Sequence, residues 1–498
     1  MKAILLMFDS LRRDMLSCYG GSVKTPNFER LASHTTQYER CYAGSLPCMP
    51  ARREIHTGRY NFLHRSWGPL EPFDDSMPEI LKNNGIYTHL ATDHYHYLQD
   101  GGATYQNRYS TWECYRGQES DAWAADLMPP DREFAPTQLS PEQTSGCARE
   151  MRRAGGWQNM KNRKKIKNEN DYPMVKTFEN GLLFLEQNHS YDNWFLQIET
   201  FDPHEPFDSP EIYQSAFLSP DEMDNPDWPP YAKVTEDEKT IQLMRKKYES
   251  MLLFCDRQLG KLLDKMDELD LWKDTMLIVN TDHGFFLSEH NWWGKGSMPN
   301  YEELVHTPFF IWDPRTDRKG EKSDQLVQTI DIAPTVLEYF DIAVPETMRG
   351  LCISRKSSQK ENERCILFGY HGGPIGVTDG RYVLLHAVAD PSVQTYEYTL
   401  MPTHMKSFFS LEEIGTAELV NGTVFTKGMP VLRFFDRVNP RFVDSLPFGS
   451  NLLFDLSTDP GQKNPIEDDD KKQYLLTKIK MLMAENDAPQ EVFQYYGL

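Results

Sequence analysis

Apolar runs and amphipathic segments alternate along much of the chain. The run KAILLMF at 2–8 is almost continuously apolar and stops at Asp9, which is typical of a short strand buried on both faces. TPNFERLASH follows, with a threonine cap, a proline near the first turn and helical spacing of its apolar residues. The same order returns with a helix predicted from Pro78 and a strand from Tyr87 to Ala91.

The alternation continues further along. NWFLQIET is another apolar run, and Leu, Met and Phe at helical spacing predict a long amphipathic helix over about 236–271. DTMLIVNTDHG and HTPFFIWDP predict two more strands. Strands that alternate with helices form a mostly parallel sheet with helices on both faces. We therefore predict an α/β fold with a large, mostly parallel sheet sandwiched by helices.

Acidic residues follow several of these strands at the point where each strand ends. Asp9, Asp93, Asp202 and Asp282 each lie just past a predicted strand. Ligands in open α/β sheets bind beyond the carboxyl ends of the strands. One such acid would be an ordinary loop residue, but the recurrence predicts that one face of the sheet collects acids.

The chain divides into two predicted domains, 1–350 and 351–498. Residues 101–172 are polar and rich in Gly, Pro and charge, so we predict an insertion over the catalytic face. Its basic run KNRKKIKN is interpreted as a solvated helix or loop. After about residue 350 the pattern changes to short strands and turns, with a helix near KKQYLLTKIKMLMAEN. This pattern predicts a smaller C-terminal α+β domain with an antiparallel sheet.

Charge and hydropathy exclude some partners. The formal net charge of −21 repels nucleic acid and anionic membranes, so an anionic substrate needs a local cationic cluster or a metal. No stretch of about 20 apolar residues occurs, so no membrane span is expected. The six-residue apolar run at the start is too short for a signal peptide, and a cytoplasmic location is the expectation.

A metal site is predicted where two strands end. Asp9 follows the first strand, and Asp282 with His283 follows a later one. Carboxylate oxygens suit Ca²⁺ or Mg²⁺, and a histidine among the ligands leaves Mn²⁺ or Zn²⁺ open. The tetrapeptide TDHG is also an ordinary turn sequence, so it does not establish the site alone.

One of the eight cysteines stands in an unusual frame. None of the eight forms a C-x-x-C pair, and free thiols are expected rather than a disulfide framework. Cys48 lies between two prolines in LPCMPARREIHTGRY, and Arg52 supplies a planar fork that can bind a tetrahedral oxyanion. The alternative is a small buried apolar residue beside a surface arginine.

Basic residues in three other loops complete a possible site. His204 lies between prolines in DPHEPF, and Lys295 lies in the glycine-flanked loop WWGKGS. His94 and His96 alternate in TDHYH, so both would point the same way in an extended segment. Each alone is an ordinary polar residue. Together they would place cations and bases around an acidic metal cluster.

These segments, in this order, resemble the type I sulfatases of the alkaline phosphatase superfamily. CMPAR, followed by HTGRY, is similar to the family signature C-x-[PS]-[SA]-R. FDSLRRDMLSCYGG resembles the first metal strand, TDHG the second metal loop and GKGSMPNYEELVHTPFFI the lysine loop. NLLFDLSTDPGQKNPI is similar to a segment of the family's C-terminal domain. The resemblance covers most of the chain except 101–172.

The resemblance implies a chemistry for each part. A separate maturation enzyme would oxidise Cys48 to Cα-formylglycine, whose hydrate attacks the sulfur of a sulfate monoester and then releases sulfate by elimination. The ligands of one divalent metal ion, Ca²⁺ first, would be Asp9, Asp282, His283 and residue 48. Arg52 would orient and stabilise the nucleophile. His204 and Lys295 would face the leaving oxygen and the sulfate, with His204 as the donor of the proton to the leaving alcohol, and His96 would match a family histidine.

Three positions depart from the common family pattern. Ser10 stands where many members have a second acid, and His283 stands where many have asparagine. His94 stands where many have a lysine. The predicted substrate is a small-molecule or carbohydrate sulfate ester. The alternatives are a phosphonate monoester or phosphodiester hydrolase, which can share the Asp-His loop, and a non-catalytic binder of sulfated glycans.

Overall fold

The computed structural model describes residues 1–127, 156–224, 226–296, 298–353, 364–436 and 445–498. Of the predicted insertion, residues 128–155 lie outside this part, as does Cys147. In the described part the strands β1 to β19 are Lys2–Phe8, Thr36–Tyr42, Ser45–Leu46, Tyr87–Thr92, Thr111–Cys114, Trp194–Thr200, Ala232–Lys233, Thr275–Thr281, Phe286–Leu287, Trp292–Gly294, His306–Trp312, Glu321–Gln328, Ile366–Tyr370, Ile375–Thr378, Tyr382–His386, Tyr396–Thr399, Glu418–Val420, Val431–Phe435 and Asn451–Asp455.

The helices include the predicted long helix, which is confirmed at Glu238–Glu268. It begins at Asp237, whose side chain accepts a hydrogen bond from the amide of Thr240. The other α-helices of the described residues that have assigned bounds are Pro26–His34, Cys48–Thr57, Met77–Asn83, Pro173–Asn188, Glu211–Gln214, Pro220–Met223, Glu302–Val305, Ile332–Tyr339, Leu411–Thr416, Asp469–Glu485 and Gln490–Tyr496.

The large sheet is mostly parallel, as predicted. Its order among the described strands is β12-β2-β11-β8-β1-β6-β4-β5. Only β11 in that order is antiparallel to its neighbours, β2 and β8. The edge strand β5 comes from the segment predicted as an insertion, so part of 101–172 extends the sheet.

Helices cover both faces of this sheet. Alternate side chains of β1 point to opposite faces. Ile4, Leu6 and Phe8 pack in one core with the long helix, which contributes Leu252 and Leu259 among others. Ala3, Leu5 and Met7 pack in a second core with the helices at 77–83 and 332–339. The predicted sandwich of helices around the sheet is therefore confirmed.

The register of the central strands aligns their carboxyl ends. Phe8 of β1 pairs with Thr200 of β6 on one side and with Thr281 of β8 on the other. The residues that follow these three strands therefore emerge at one edge of the sheet. Because Asp9 and Asp282 each come next after such a residue, the predicted meeting of acids at this edge is confirmed.

The C-terminal region contains the predicted smaller α+β unit. Its five-stranded sheet has the order β19-β15-β14-β13-β3, and the pairs among β13, β14, β15 and β19 are antiparallel. The helix at 469–485 packs on it through Leu475, Ile479 and Met483. The fifth strand, β3, is parallel to β13 and comes from residues directly before Cys48. A second sheet, β16-β18-β17, is antiparallel.

The described residues bear on two expectations, one about membrane spans and one about the cysteines. None of their helices has both the length and the apolar character needed to cross a membrane. The seven cysteines among them are free thiols, as predicted.

Candidate active site

Cys48 lies at the start of a buried helix. β3 ends at Leu46, and the helix Cys48–Thr57 begins after Pro47. Pro50 lies in the first turn, where its missing N–H removes no helical hydrogen bond. The Asn61 side chain donates a hydrogen bond of 2.9 Å to the Pro50 carbonyl and fixes the turn. Cys48 is therefore held at a helix N-terminus, which favours negative charge, and only 2% of it is exposed.

The four predicted metal ligands meet around this residue. One ligand atom from each of Asp9, Cys48, Asp282 and His283 lies within 4.8 Å of all the others. His283 Nε2 lies 3.3 Å from Cys48 Sγ and 3.4 Å from a carboxylate oxygen of Asp282. The other ring nitrogen, Nδ1, lies 2.8 Å from the carbonyl of Gly284. A proton on Nδ1 leaves the Nε2 lone pair facing the cluster, which is how metal-binding histidines are commonly held.

The protonation states of these groups follow from burial and charge. Burial alone would raise the pKa of Asp9, but Lys295 and Arg52 outweigh it and hold that pKa well below its ordinary value. Burial and the charge of Asp9 raise the pKa of Asp282 to about 7. Burial and Lys295 lower the pKa of His283 to about 3, so the imidazole is neutral at neutral pH. A neutral imidazole beside two carboxylates is a donor set that fits a divalent cation.

The thiol of Cys48 is poorly suited to act as a nucleophile. Burial, reinforced by the negative charge of Asp9, holds its pKa well above the ordinary value. The thiolate is the reactive form of cysteine, and this environment disfavours it.

Arg52 is directed to carboxylates. Its Nη1 lies 2.7 Å from Asp282, its Nη2 lies 3.0 Å from Asp9, and its Nε donates to Glu199 at 2.7 Å. From the sequence we expected this fork to bind a substrate oxyanion. In the structure its donors face three buried acids instead, so Arg52 fixes the positions of the predicted metal ligands.

Glu199 is a site residue that sequence reasoning missed. It lies within β6 and is fully buried. Besides Arg52 it accepts hydrogen bonds from Tyr97 at 2.9 Å and from Gln197 at 3.0 Å. A charged residue inside a mostly apolar strand was the available signal, because a fully buried carboxylate needs a partner.

Lys295 and Ser10 complete the surroundings of Asp9. Lys295 Nζ lies 3.1 Å from Asp9 Oδ1 and 2.6 Å from Ser10 Oγ. The Ser10 hydroxyl donates to Asp9 at 2.7 Å, and its amide donates to Asp282 at 3.0 Å. At the position where the resemblance expects a second acid, Ser10 therefore links Lys295 to both carboxylates.

His204 and Glu205 form the next layer outward. Nδ1 of His204 forms a short hydrogen bond with the Glu205 carbonyl. The same nitrogen lies 3.3 Å from the Glu205 carboxylate. Burial and Lys295 hold the pKa of His204 well below its ordinary value. Burial raises the pKa of Glu205 to about 7, against the opposing charge of Lys295, whose Nζ lies 3.9 Å away. Tyr231 donates a short hydrogen bond to the same carboxyl group.

Glu205 was not singled out from the sequence, although it lies between His204 and a proline. Its burial and its contact with Tyr231, 26 residues away, are set by tertiary packing. A carboxyl group with a pKa near neutrality is suited to proton transfer.

His94 and His96 lie together, although not as expected. Tyr95–Leu98 forms a 3-10 turn, so the segment is not extended. The two imidazoles nevertheless pack with their centroids 5.1 Å apart. His94 Nε2 lies 3.1 Å from Met49 Sδ, in the residue after Cys48, and Gln99 contacts His96 Nδ1 at 2.8 Å.

The other two acids at the sheet edge form a separate pair. Gln118 donates to Asp93 at 2.9 Å and to Asp202 at 3.3 Å. Burial raises the pKa of Asp93 to about 7, and burial with the charge of Asp93 raises that of Asp202. The four acids predicted at this edge therefore separate into two groups, and Gln118 of the predicted insertion reaches the second.

Comparison with known proteins gives two family matches. A model described as Sulfatase matches residues 2–342, and one described as N-sulphoglucosamine sulphohydrolase, C-terminal, matches residues 288–415. An arylsulfatase of Clostridium perfringens is 22% identical over 420 residues, which cover 76% of this chain and 83% of that protein.

Solved structures give the same fold. A protein solved with its substrate D-glucosamine-2-N,6-O-disulfate has a TM-score of 0.67 at 14% identity and covers 98% of this chain and 99% of its own. The phosphonate monoester hydrolase of Agrobacterium radiobacter has a TM-score of 0.64 at 17% identity and covers 98% and 95%. At these identities the likeness establishes the fold.

Proposed function

The chain belongs to the sulfatase family, and from that premise we propose that it hydrolyses a sulfate monoester to an alcohol and sulfate at residue 48. The observation that carries this proposal is the meeting of Asp9, Cys48, Asp282 and His283 at one buried point. A non-catalytic binder of sulfated glycans would not require these four side chains to converge on one point.

Residue 48 is proposed to act as Cα-formylglycine, made from the cysteine by a separate maturation enzyme. The hydrate of that aldehyde would supply a nucleophilic hydroxyl and a second hydroxyl that allows sulfate to leave. The buried thiol supports this proposal because its raised pKa leaves it protonated and unreactive.

One divalent cation is proposed at Asp9, Asp282, His283 and the side chain of residue 48. Ca²⁺ is proposed first because carboxylates dominate the donors, and the imidazole of His283 makes Mn²⁺, Zn²⁺ and Mg²⁺ the alternatives. When bound, the cation would polarise the nucleophile and neutralise charge on the sulfate oxygens. Arg52 and Ser10 each contact both carboxylates and hold them in place for it.

The chain's own residues then bind the sulfate and its leaving oxygen. Lys295 lies between Asp9 and Glu205 and supplies positive charge on the side of the transferred group. His94, His96 and His204 are proposed to contact the sulfate or the leaving oxygen as neutral imidazoles.

The proton for the departing alcohol is proposed to come from Glu205. From the sequence we assigned this proton to His204, but a pKa held well below its ordinary value leaves that imidazole without a proton to give. Burial raises the pKa of Glu205 to about 7, so this carboxyl group can hold a proton near neutral pH. His204 keeps the role of orienting the leaving oxygen.

A substrate panel tests the proposed reaction. The chain is produced with the maturation enzyme, and intact mass confirms conversion of Cys48 to the aldehyde. Carbohydrate sulfates, aryl sulfates, phosphodiesters and phosphonate monoesters are then compared by kcat/KM. We expect the highest values for carbohydrate sulfates, in keeping with the glucosamine substrates named for similar proteins. Higher values for phosphonates would favour the phosphonate monoester hydrolase alternative, whose fold is shared.

A further inference from the structure

A second group of ligand-type side chains lies apart from the residues of the candidate active site. His371 follows β13, Glu397 lies in β16, and Asp436 follows β18. One ligand atom from each of the three lies within 4.8 Å of the others. His371 and Glu397 are 8% and 6% exposed, so more than nine-tenths of each is buried. The cluster connects the five-stranded sheet with the small antiparallel sheet.

The imidazole of His371 is oriented as in metal sites. Its Nδ1 lies 2.7 Å from the carbonyl of Phe62, which accepts the proton on that nitrogen. Nε2 therefore faces the two acids, at 3.1 Å from a carboxylate oxygen of Asp436. A backbone carbonyl that fixes the tautomer is the usual partner of a metal-binding histidine.

Glu397, one of the three residues, has a carboxylate oxygen with no hydrogen-bond partner. Its Oε1 accepts the amide of Ser66 at 3.2 Å, whereas the buried Oε2 has no hydrogen bond. Arg65 keeps its Nε 3.7 Å away and directs its other nitrogens to Glu71, Thr399 and the Thr403 carbonyl. A buried carboxylate oxygen without a donor is costly, and a bound cation removes that cost.

The local charges point to a divalent ion. Glu71, Glu397 and Asp436 carry three negative charges against the one positive charge of Arg65, which leaves two negative charges unbalanced. A proton on His371 balances one of them. A divalent cation bound to the neutral imidazole balances both.

We propose that His371, Glu397 and Asp436 bind a divalent cation of the Zn²⁺ or Mn²⁺ type. One imidazole with two carboxylates suits these ions better than Ca²⁺, which prefers a cage of oxygens. The ion ties the small sheet to β13. This strand pairs with β3, and β3 leads into Cys48. The ion therefore stabilises the strand pair that positions the segment before Cys48. This site does not depend on the proposed reaction.

The field that attracts a cation also acts on the imidazole. Burial lowers the pKa of His371, but the charge of Asp436 outweighs it and raises that pKa to about 9. A metal ion must therefore displace a proton from Nε2, and that proton leaves to the solvent.

Counting bound ions tests the proposal. The chelated full chain is dialysed against Zn²⁺ alone, and separately against Mn²⁺ alone, and metal is measured by elemental analysis. The wild type and Asp282→Ala, which lacks one ligand of the active-site cluster, are compared. We expect one ion more than the active site holds in the wild type, and one remaining ion in Asp282→Ala. A wild type with no ion beyond the active-site one, for both metals, would overturn the proposal.

Variants and crystals locate the ion. Glu397→Gln should lower the affinity for the second ion by at least about 100-fold. Even the loss of a group that only supports a metal ligand lowers metal affinity by about 10- to 100-fold. Glu413→Gln is the matched control, because Glu413 pairs with His404 at 2.8 Å in a contact that forms no such three-residue cluster with other described residues. If Glu397→Gln does not fold, anomalous diffraction from wild-type crystals soaked in Zn²⁺ decides. No peak at His371 would overturn the site.

Discussion

Replacing Glu205 by glutamine tests the proposed proton donor. Glutamine has nearly the same shape and still accepts the hydrogen bond from Tyr231, but it cannot give a proton. General acids contribute about 10²- to 10⁴-fold to rate, which corresponds to about 2.7–5.5 kcal/mol of transition-state stabilisation. We expect a loss of this size for alkyl or sugar sulfates, whose alcohols need the proton. Nitrophenyl sulfate should lose less than about tenfold, because its leaving group departs as an anion.

The pH dependence of the same variant gives an independent readout. Glu205 donates only when protonated, and its pKa is about 7. The wild-type kcat/KM for alkyl sulfates should therefore be high below pH 7 and should fall as pH rises through about 7, which gives the pH profile an alkaline limb. Glu205→Gln should lose that limb. His204→Ala should keep it, because His204 is proposed to orient the leaving oxygen.

The outcome that refutes this reasoning is specific. If Glu205→Gln slows alkyl and nitrophenyl sulfates equally and keeps the alkaline limb, Glu205 is not the acid. If His204→Ala instead removes the limb and affects only alkyl sulfates, the proton belongs to His204, as the sequence alone led us to expect. Circular dichroism of both variants excludes misfolding as the cause.

Three further predictions concern the nucleophile, the metal and Arg52. Cys48→Ala should abolish turnover with an unchanged circular dichroism spectrum, and Cys48→Ser should give at most a single turnover in a burst assay; multiple turnover by the serine variant would contradict release through a second hydroxyl. Asp282→Ala should lose activity together with the active-site ion, as measured by elemental analysis, whereas Asp93→Asn at the same sheet edge should keep the ion. Equal amounts of bound ion in the two variants would contradict the assigned ligands. Glu199→Ala should lower the free energy of unfolding, measured by urea denaturation, by about 1–3 kcal/mol for each donor left without an acceptor, because the Nε of Arg52 and the Tyr97 hydroxyl lose their buried partner; an unchanged free energy of unfolding would show that the contact is dispensable.

The sequence predicts the sheet and its acidic edge well, for a physical reason. Short apolar strands followed by acids are local features, and parallel strands bring their carboxyl ends to one edge. Asp9 and Asp282 could therefore be placed together before the fold was known. The direction of β11 could not be predicted, because an apolar run has the same pattern in a parallel or an antiparallel strand.

Site residues that are defined by tertiary contacts could not be predicted from the sequence. Glu199 and Glu205 become site residues only because Tyr97, Arg52 and Tyr231 reach them from distant segments. The link between Asp93 and Asp202 also comes from Gln118, in a segment with no recognisable pattern. Local sequence places side chains at an edge of the sheet, whereas the pairing among them is decided by packing.

The position of Cys48 links folding to the proposed chemistry. All ten residues of the helix Cys48–Thr57 are buried, and β3 just before it pairs with β13, more than 300 residues further along the chain. A modifying enzyme must bind the segment around its target in its own active site, and in the folded protein residues 48–57 are all buried. For the proposed formylglycine, conversion must therefore precede the docking of the C-terminal sheet. The pairing of β3 with β13 would thus also end the period in which residue 48 can be converted.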